Sequence, residues 1–311
     1  MAIALIAHGG AGAWRPGTED DALRGMTAAV NAGREVLAKG GSAVDAVCAT
    51  VVLLEDNPIF NAGTGGVLNF DGEVELDACL MESADARVGA VAALKRVKNP
   101  ILVARKVMEE TDHVMLAGEG ALRFARVMGF ADHDNVTEAR RADWASKKKD
   151  IVAGMGQPGP RNMRMRQFIK HHPEYAGGTV GAAAVDRKGV LAAATSTGGV
   201  TMKLVGRVGD SPIPGAGNYA SRHVAASATG TGEFVIRTLA TRTISERIEQ
   251  GASLDDAMAG VLEVMRRDFD ADIGIIGVDR LGQPVAQHLT PAMPHAFFSG
   301  EGEVVARMRA K

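Results

Sequence analysis

The sequence predicts an α+β protein in which helices cover antiparallel sheets. Three pairs of apolar runs flank turn residues at 71–72, 187–189 and 279–282, a pattern typical of β-hairpins. Other segments carry apolar residues at helical spacing. Neither half of the chain shows the regular alternation of strand and helix that predicts a parallel sheet, so antiparallel sheets fit the pattern better.

Two helices with capping signals follow a first strand at residues 3–8. Thr18 and Ser42 are each followed three residues later by an aspartate, which resembles a capping box. The first helix is expected to end at the glycines 40–41, and the second near residue 55, because Pro58 prevents its continuation. The remaining predictions for this half are a glycine loop at 61–66, the hairpin at 67–76, a strand at 88–94, and helices at 99–110, 119–128 and 137–148.

The pattern is lost between about residues 147 and 176, where basic residues, glycine and proline occur without periodicity. We expect a linker here. Residues 154–159 match G-x-G-x-x-G, but the prolines beside Gly159 cannot open the helix that a dinucleotide site requires. His171 and His172 are expected to be loop residues rather than metal ligands.

Patterns typical of strands and helices resume after residue 178. A hairpin is predicted at 179–195, and residues 227–248 are predicted to form a strand end, a glycine turn and a helix. Ser253, with Asp256 three residues later, is expected to cap another helix. A last hairpin is predicted at 273–289.

The composition excludes several classes of protein. The chain has 311 residues, of which 46% are hydrophobic and 23% charged, and its formal net charge is -2. This balance gives no electrostatic basis for nucleic-acid or membrane partners. The two cysteines, Cys48 and Cys79, lie in apolar runs and are expected to be buried thiols. With no apolar run of about 18 residues and no signal peptide, we expect a cytoplasmic protein.

The boundary between the linker and the next strand reads Gly177-Gly178-Thr179-Val180-Gly181. Glycine at 178 can hold a strained peptide bond, and the β-branched side chain of Thr179 limits where its hydroxyl can point. Attack of this hydroxyl on the preceding carbonyl would cut the chain and leave a free α-amine beside the hydroxyl. The amine, with a pKa of about 7.7–8.0, could then act as the general base of the threonine. An ordinary loop that enters a strand is the alternative interpretation.

Five further segments carry a family resemblance. They are HGGAGAW at 8–14, PIFNAGTGGVLNFDGEVELDA at 58–78, AATSTGG at 193–199, GRVGDSPIPGAGNYA at 206–220 and SATGTGE at 227–233. Together they resemble the plant-type asparaginases, also called isoaspartyl peptidases, over nearly the whole chain except the linker. The resemblance implies the four-layer αββα sandwich of the N-terminal-nucleophile hydrolases. It also implies one structural domain made of an α-portion, 1–178, with a flexible linker at about 147–178, and a β-portion, 179–311.

Carried over residue by residue, the resemblance makes Thr179 the nucleophile, freed by cleavage after Gly178. Thr197 matches the threonine that orients it. Thr229 and Gly230 match the donors to the scissile carbonyl oxygen, and Asn61 matches an asparagine that helps to stabilise the oxyanion. Each of these residues also suits an ordinary turn, because threonine, asparagine and glycine are common there.

Arg207 and Asp210 match the substrate clamp of the family, and Gly232 would offer its carbonyl to the substrate ammonium. The chemistry fits an aspartyl unit, because the planar arginine fork pairs with a carboxylate and an aspartate accepts an ammonium. The alternative is an ordinary Arg–Asp pair across a turn, which stabilises little when it is exposed.

The loop at 54–64 resembles the family's stabilisation loop, which wraps a structural sodium ion. Backbone oxygens suit such a hard cation. The implied ligands are the carbonyls of Leu54, Glu55, Asn57, Phe60, Ala62 and Thr64.

The resemblance implies a self-cleaving amidohydrolase that acts on β-aspartyl dipeptides and L-asparagine through a β-aspartyl ester of Thr179. No cofactor is expected for catalysis, and the assembly is expected to be a dimer of cleaved αβ units. Two alternatives remain. One is a glycosylasparaginase, although that sister family usually carries aspartate before the threonine, where this chain has Gly178. The other is a non-enzymatic or unprocessed globular protein.

Overall fold

Residues 2–155 and 178–310 are described in the computed structural model of the chain. Over these residues the fold is mixed α+β, with antiparallel sheets and helices as predicted. The strands are β1 (Ala4–His8), β2 (Leu76–Glu82), β3 (Val88–Leu94), β4 (Met115–Ala117), β5 (Val180–Val185), β6 (Leu191–Thr197), β7 (Asn218–Ala220), β8 (Val224–Gly230), β9 (Ile273–Asp279), β10 (Pro284–His288), β11 (His295–Ser299) and β12 (Val305–Arg307). The helices are α1 (Glu19–Ala38), α2 (Ala43–Asp56), α3 (Pro100–Glu110), α4 (Gly118–Val127), α5 (Glu138–Met155), α6 (Gly232–Thr238), α7 (Ala240–Glu249) and α8 (Leu254–Phe269).

The described strands form two sheets. The larger sheet has the order β12-β11-β1-β5-β6-β2-β3-β4, and the smaller has the order β10-β9-β8-β7. All neighbours pair antiparallel except β3 and β4, which are parallel. β5, which follows Thr179, therefore lies inside the larger sheet between β1 and β6.

Three large buried apolar clusters hold the described elements together. One lies between α1–α3 and the larger sheet, and includes Met26, Val47 and Leu80. A second joins the two sheets through residues such as Ile6 and Ile276. The third lies between the smaller sheet and α6–α8. Burial of apolar surface in these clusters is the main force that brings the two sheets face to face.

Most of the predicted elements are present within two residues of their expected bounds. Ser42 caps α2 through a capping box with Asp45, and the side chain of Ser253 accepts a hydrogen bond from the backbone of Asp256 at the start of α8. The hairpins β5–β6 and β9–β10 are also confirmed. The strands β2, β4, β7, β11 and β12 were not predicted.

The capping box predicted at Thr18 is wrong. Thr18 has φ -103° and ψ -1°, so its backbone is already helical and not in the extended conformation that an N-cap residue normally has. Its hydroxyl instead donates to the carbonyl of Arg15 at 2.7 Å. α1 nevertheless begins at the next residue, as predicted.

The hairpin predicted at 67–76 is also wrong, although its turn is present. The side-chain oxygen of Asn69 accepts from the backbone N–H groups of Asp71 and Glu73 and closes the turn. The segment before the turn pairs elsewhere, because Phe70 N donates to Lys203 O and Met202 N donates to Leu68 O. A tertiary pairing has therefore replaced the local one.

The first residues of the segment predicted as a linker are helical, because α5 continues to Met155 and includes Gly154. Contacts with the turn at 69–73 stabilise this helix despite its weak pattern. Trp144 Nε1 donates to Asn69 O at 2.9 Å, and the ammonium of Lys148 lies over the rings of Phe70 and Trp144. His171 and His172 lie outside the described residues.

Both cysteines are buried free thiols, as predicted. None of the described helices combines the length and the apolar character needed to cross a bilayer.

Two glycines provide a test of the packing between α3 and β3. A Cβ atom at Gly89 would lie 2.0 Å from the backbone oxygen of Ala104, whereas Gly120 in α4 has open space around it. We expect Gly89→Ala to destabilise the fold by about 1–3 kcal/mol through overpacking. Gly120→Ala should be neutral or stabilising by up to about 1 kcal/mol, because alanine favours helix. Thermal melting followed by circular dichroism checks both, and equal melting temperatures for the two variants would contradict the packing described.

Candidate active site

The junction of Gly178 and Thr179 lies directly before β5, and Thr179 is buried whereas Gly178 is partly exposed. The antiparallel pairing of β5 with β6 sets Val180 opposite Ser196, which brings Thr197 beside Thr179. Thr179 Oγ1 donates to Thr197 Oγ1 at 3.2 Å. Thr197 Oγ1 in turn accepts from Gly199 N at 2.9 Å and lies 3.3 Å from the carbonyl oxygen of Gly178.

Asn61 holds the same carbonyl from the loop after α2. Its Nδ2 donates to Gly178 O at 2.6 Å and to Gly199 O at 2.7 Å. Its Oδ1 accepts from Val67 N at 2.8 Å, so the amide plane is fixed from both ends. Two donors, Asn61 and Thr197, therefore converge on the carbonyl that precedes Thr179.

The smaller sheet reaches this junction through the end of β8. Thr229 Oγ1 accepts from Thr179 N and from Ala11 N, each at 3.3 Å. Gly230 follows with φ +128°, and a Cβ atom there would lie 2.2 Å from Asp272 O. Only glycine fits this conformation and this approach.

Two further glycines lie where the packing around the junction leaves no room for a side chain. A Cβ atom at Gly10 would lie 2.7 Å from the Cα of Gly178, and one at Gly181 would lie 2.0 Å from Ser227 Oγ. The glycine loop after β1 thus packs directly on the junction. Gly181 leaves the space through which His8 reaches Ser227.

A buried polar network lies beneath β5. His8 Nε2 lies 2.9 Å from Ser227 Oγ, which lies 2.7 Å from Thr195 Oγ1. Asn218 Nδ2 donates to the same threonine at 3.2 Å. Complete burial lowers the pKa of His8 to about 3, although the nearby backbone of Thr179 opposes the shift. The imidazole is therefore neutral at physiological pH.

Arg207 and Asp210 lie together beside the N-terminus of α6. A Cβ atom at Gly232 would lie 2.5 Å from Asp210 Oδ1 and 3.2 Å from Arg207 Nη2. Gly199 is a further neighbour of the guanidinium, because a Cβ atom there would lie 3.4 Å from Nη1. Since Gly199 also contacts Thr197 and Asn61, the clamp and the junction border one site.

Asp210 is buried, and its Oδ2 has no hydrogen-bond partner among the residues that the structure describes. Burial raises its pKa to about 7, against the attraction of Arg207. The carboxylate that contacts Arg207 is that of Glu233, whose Oε1 accepts from Nε at 3.0 Å and from Nη2 at 2.8 Å. A buried carboxyl oxygen of this kind can accept a hydrogen bond from an ordered water or from a ligand.

The segment 54–64 contains the last residues of α2 and the loop that carries Asn61. The carbonyl of Glu55 accepts from Thr64 N at 2.8 Å, and that of Asn57 accepts from Phe60 N at 3.1 Å. The side chain of Glu55 is buried and accepts from Ser196 Oγ, and burial raises its pKa to about 8. Within residues 2–155 and 178–310, no three His, Cys, Asp or Glu side chains cluster to hold a metal ion.

The structure thus brings together the side chains predicted from sequence, and it adds some that sequence reasoning missed. His8, Ser227 and Glu233 were quoted only as letters of longer motifs. The position of Glu233 directly after Gly232 was the available signal. Their partners lie far away in sequence, so only the fold identifies their contacts.

Comparison with known proteins gives a consistent result. A protein-family model described as asparaginase matches residues 1–306. The chain is 46% identical over 297 residues to the plant-type L-asparaginase of Pyrococcus abyssi, which covers 95% of this chain and 96% of that protein. It is 40% identical over 297 residues to the human isoaspartyl peptidase/L-asparaginase, covering 94% and 92% of the two chains. The rat protein of the same name is 39% identical over 300 residues, covering 95% and 86%.

The buried imidazole of His8 predicts a pH-dependent stability. The unfolded chain binds a proton at His8 below about pH 6.5, whereas the folded chain does so only below about pH 3. Stability from this group is present above pH 6.5 and is lost as the pH falls toward 3, by about 1.4 kcal/mol per pH unit. We expect His8→Gln to be less stable than the wild type at pH 7 and to approach it at pH 4.5. A difference in melting temperature that stays constant across this range would contradict a buried neutral histidine.

Proposed function

Because the chain belongs to the asparaginase family, we propose that it is a self-cleaving amidohydrolase that hydrolyses the side-chain amide of aspartyl units. The substrates are β-aspartyl dipeptides and L-asparagine, and the product is L-aspartate. The observation that carries the proposal is the contact of the Thr179 hydroxyl with Thr197, beside a Gly178 carbonyl that Asn61 also holds.

The fold supports the same assignment. We propose that the two facing sheets, with helices outside each, form the four-layer αββα sandwich of the N-terminal-nucleophile hydrolases. The three apolar clusters described above correspond to the three interfaces between four layers. The whole chain then forms one structural domain, made of an α-portion, 1–178, and a β-portion, 179–311.

Self-cleavage begins with the hydroxyl of Thr179. Its oxygen attacks the carbonyl carbon of Gly178, and the negative charge that develops on the carbonyl oxygen is stabilised by Asn61 Nδ2 and Thr197 Oγ1. The C–N bond then breaks, and the hydroxyl proton ends on the departing nitrogen. Water hydrolyses the resulting ester, which leaves a carboxylate on Gly178 and a free α-amine on Thr179.

Turnover uses the same hydroxyl with a new base. The α-amine accepts the hydroxyl proton as the oxygen attacks the side-chain amide carbon of the substrate. The hydroxyl of Thr229 and the N–H of Gly230 donate to the developing oxyanion. Ammonia or an amino acid leaves, and water hydrolyses the β-aspartyl ester of Thr179 to release L-aspartate.

The clamp explains why the side-chain amide is the bond that reacts. Arg207 pairs with the α-carboxylate of the substrate, and the unsatisfied Oδ2 of Asp210 accepts from its α-ammonium. The carbonyl of Gly232 is a second acceptor for the ammonium. With both α-groups held, the side-chain amide is the part of the substrate directed toward Thr179.

The carbonyls of Leu54, Glu55, Asn57, Phe60, Ala62 and Thr64 are proposed to hold a structural sodium ion. Two of the six already accept a backbone hydrogen bond, and a carbonyl oxygen keeps a second lone pair for a cation. The donors are oxygens only, which suits a hard ion. The ion would stiffen the loop that carries Asn61, and it takes no part in the bond changes. The dimer of αβ units and the cytoplasmic location stay predictions.

Intact mass tests self-cleavage. Wild type kept at neutral pH should yield two fragments, residues 1–178 and 179–311, whereas Thr179→Ala should stay uncut. Asn61→Ala should be processed about 10²–10³ times more slowly, because it lacks one oxyanion donor. Thr243→Ala, whose hydroxyl lies on the distant helix α7, is the matched control and should be processed normally. A wild type that remains whole, or a Thr179→Ala protein that is cut, would refute the mechanism.

The pH dependence of hydrolysis tests the clamp. Asp210 must be ionised to accept the substrate ammonium, so kcat/KM for L-asparagine should rise as the pH increases through about 7. The α-amine of Thr179 must also be unprotonated. Succinamic acid lacks the ammonium and depends on the amine alone, so its acid limb should be less steep. Equal slopes for the two substrates would exclude Asp210 as the ammonium site.

The substrate itself is decided by direct comparison. β-Aspartyl dipeptides and L-asparagine should be hydrolysed by the processed protein, and N-acetylglucosaminyl asparagine should not. Hydrolysis of the glycan-linked substrate alone would make the protein a glycosylasparaginase.

A further inference from the structure

Glu233 forms an ion pair with Arg207, although binding of a substrate by Arg207 and Asp210 does not itself require this pair. It is the second residue of α6, and one of its oxygens accepts from both Nε and Nη2 of Arg207. The side chain of Arg207 is 17% exposed, whereas that of Glu233 is 55% exposed. An exposed ion pair contributes little to stability, so the contact is better explained by what it does to the arginine.

The donors of the guanidinium show what remains for a ligand. The group has five N–H donors, and Glu233 occupies one on Nε and one on Nη2. The edge formed by Nη1 and the second N–H of Nη2 stays available. This edge borders glycine backbone, since a Cβ atom would lie 2.7 Å from Nη1 at Gly209 and 3.4 Å at Gly199.

The available edge faces the reacting groups. Gly199 donates to Thr197 Oγ1 and accepts from Asn61 Nδ2, and both of these contact the carbonyl before Thr179. A carboxylate bound at the Nη1–Nη2 edge would thus lie on the side of the arginine nearest the junction. An arginine free to rotate would present this edge only part of the time.

We propose that Glu233 is a positioning residue that fixes the plane of the Arg207 guanidinium, so that its Nη1–Nη2 edge receives the α-carboxylate of the substrate. The inference rests on the proposed function and deepens it. Arg207 then binds two carboxylates at different edges. The carboxylate of Glu233 stays in place, and that of the substrate is exchanged at each turnover.

Glu233 also acts on Asp210 through its charge. The groups that act on Asp210 are Arg207, which favours its ionised form, and Glu233 and Asp77, which disfavour it. Removing the charge of Glu233 while keeping an acceptor oxygen should therefore lower the pKa of Asp210. A merely structural role for Glu233 would not produce this effect.

Two variants separate position from charge. Glu233→Ala removes the acceptor, and it should raise KM for L-asparagine about 3- to 10-fold with kcat changed less than about twofold, because Arg207 must now be ordered on binding. Glu233→Gln keeps an acceptor oxygen, so its KM should rise less, and the acid limb of its kcat/KM profile should move to lower pH. The matched control is Glu246→Ala, which removes an exposed glutamate that pairs with Nε of Arg242 at 2.8 Å on α7.

Kinetic constants are compared only between preparations that have the same fraction of cleaved protein, measured by intact mass, and the same melting temperature. If Glu233→Ala keeps the KM of the wild type, or lowers it, Glu233 does not position the arginine. If the acid limb of the kcat/KM profile of Glu233→Gln does not move to lower pH, Glu233 does not act on Asp210 through its charge. A wild type that is cleaved but neither hydrolyses L-asparagine nor binds L-aspartate in calorimetry overturns the proposed function, and this inference with it.

Discussion

The hydrogen bond from Asn61 to the carbonyl of Gly178 is the contact on which the site depends. It joins the loop after α2 to the start of β5. The same Nδ2 also donates to Gly199 O, and Oδ1 at the other end of the amide accepts from Val67 N. The glycine loop after β1 closes the junction from the opposite side, because Gly10 has no side chain. The junction is thereby held by contacts from two loops, and fixed donors of this kind are what electrostatic catalysis requires.

Burial gives the polar groups around this junction different charge states. His8 is held neutral beneath β5, whereas Asp210 has a pKa close to neutral pH. Glu55, next to the loop that carries Asn61, has a pKa of about 8 and is mostly protonated at pH 7. In each case the largest cause is desolvation and not a neighbouring charge. The charged groups that border the site include Arg207, with its partner Glu233, and the buried Lys203, whose ammonium lies beside Gly199.

Sequence patterns predicted the elements whose signals are local. The serine caps at 42 and 253, the break before Pro58 and the turn at 187–189 each rest on residues a few positions apart. The capping box at Thr18 failed because the threonine hydroxyl donates to the nearby carbonyl of Arg15. The hairpin at 67–76 failed because long-range contacts with residues 202–203 outweighed local preference. For the candidate site, the motif letters pointed to Thr179, Thr197 and Arg207, but not to the pairing of Arg207 with Glu233. That pairing depends on where α6 begins relative to the loop at 206–210, which no spacing in the sequence encodes.

The strand order of the larger sheet has a consequence for a chain cut between residues 178 and 179. β1 lies between β11 and β5, and β2 pairs with β6, so strands from the two sides of the cut alternate in one ladder. The fragments could separate only by breaking the sheet. Unfolding of the cut protein would release two chains, and recovery would become a second-order process that slows with dilution. Persistence of the cut form would then be governed by the rate of unfolding and not by an equilibrium constant.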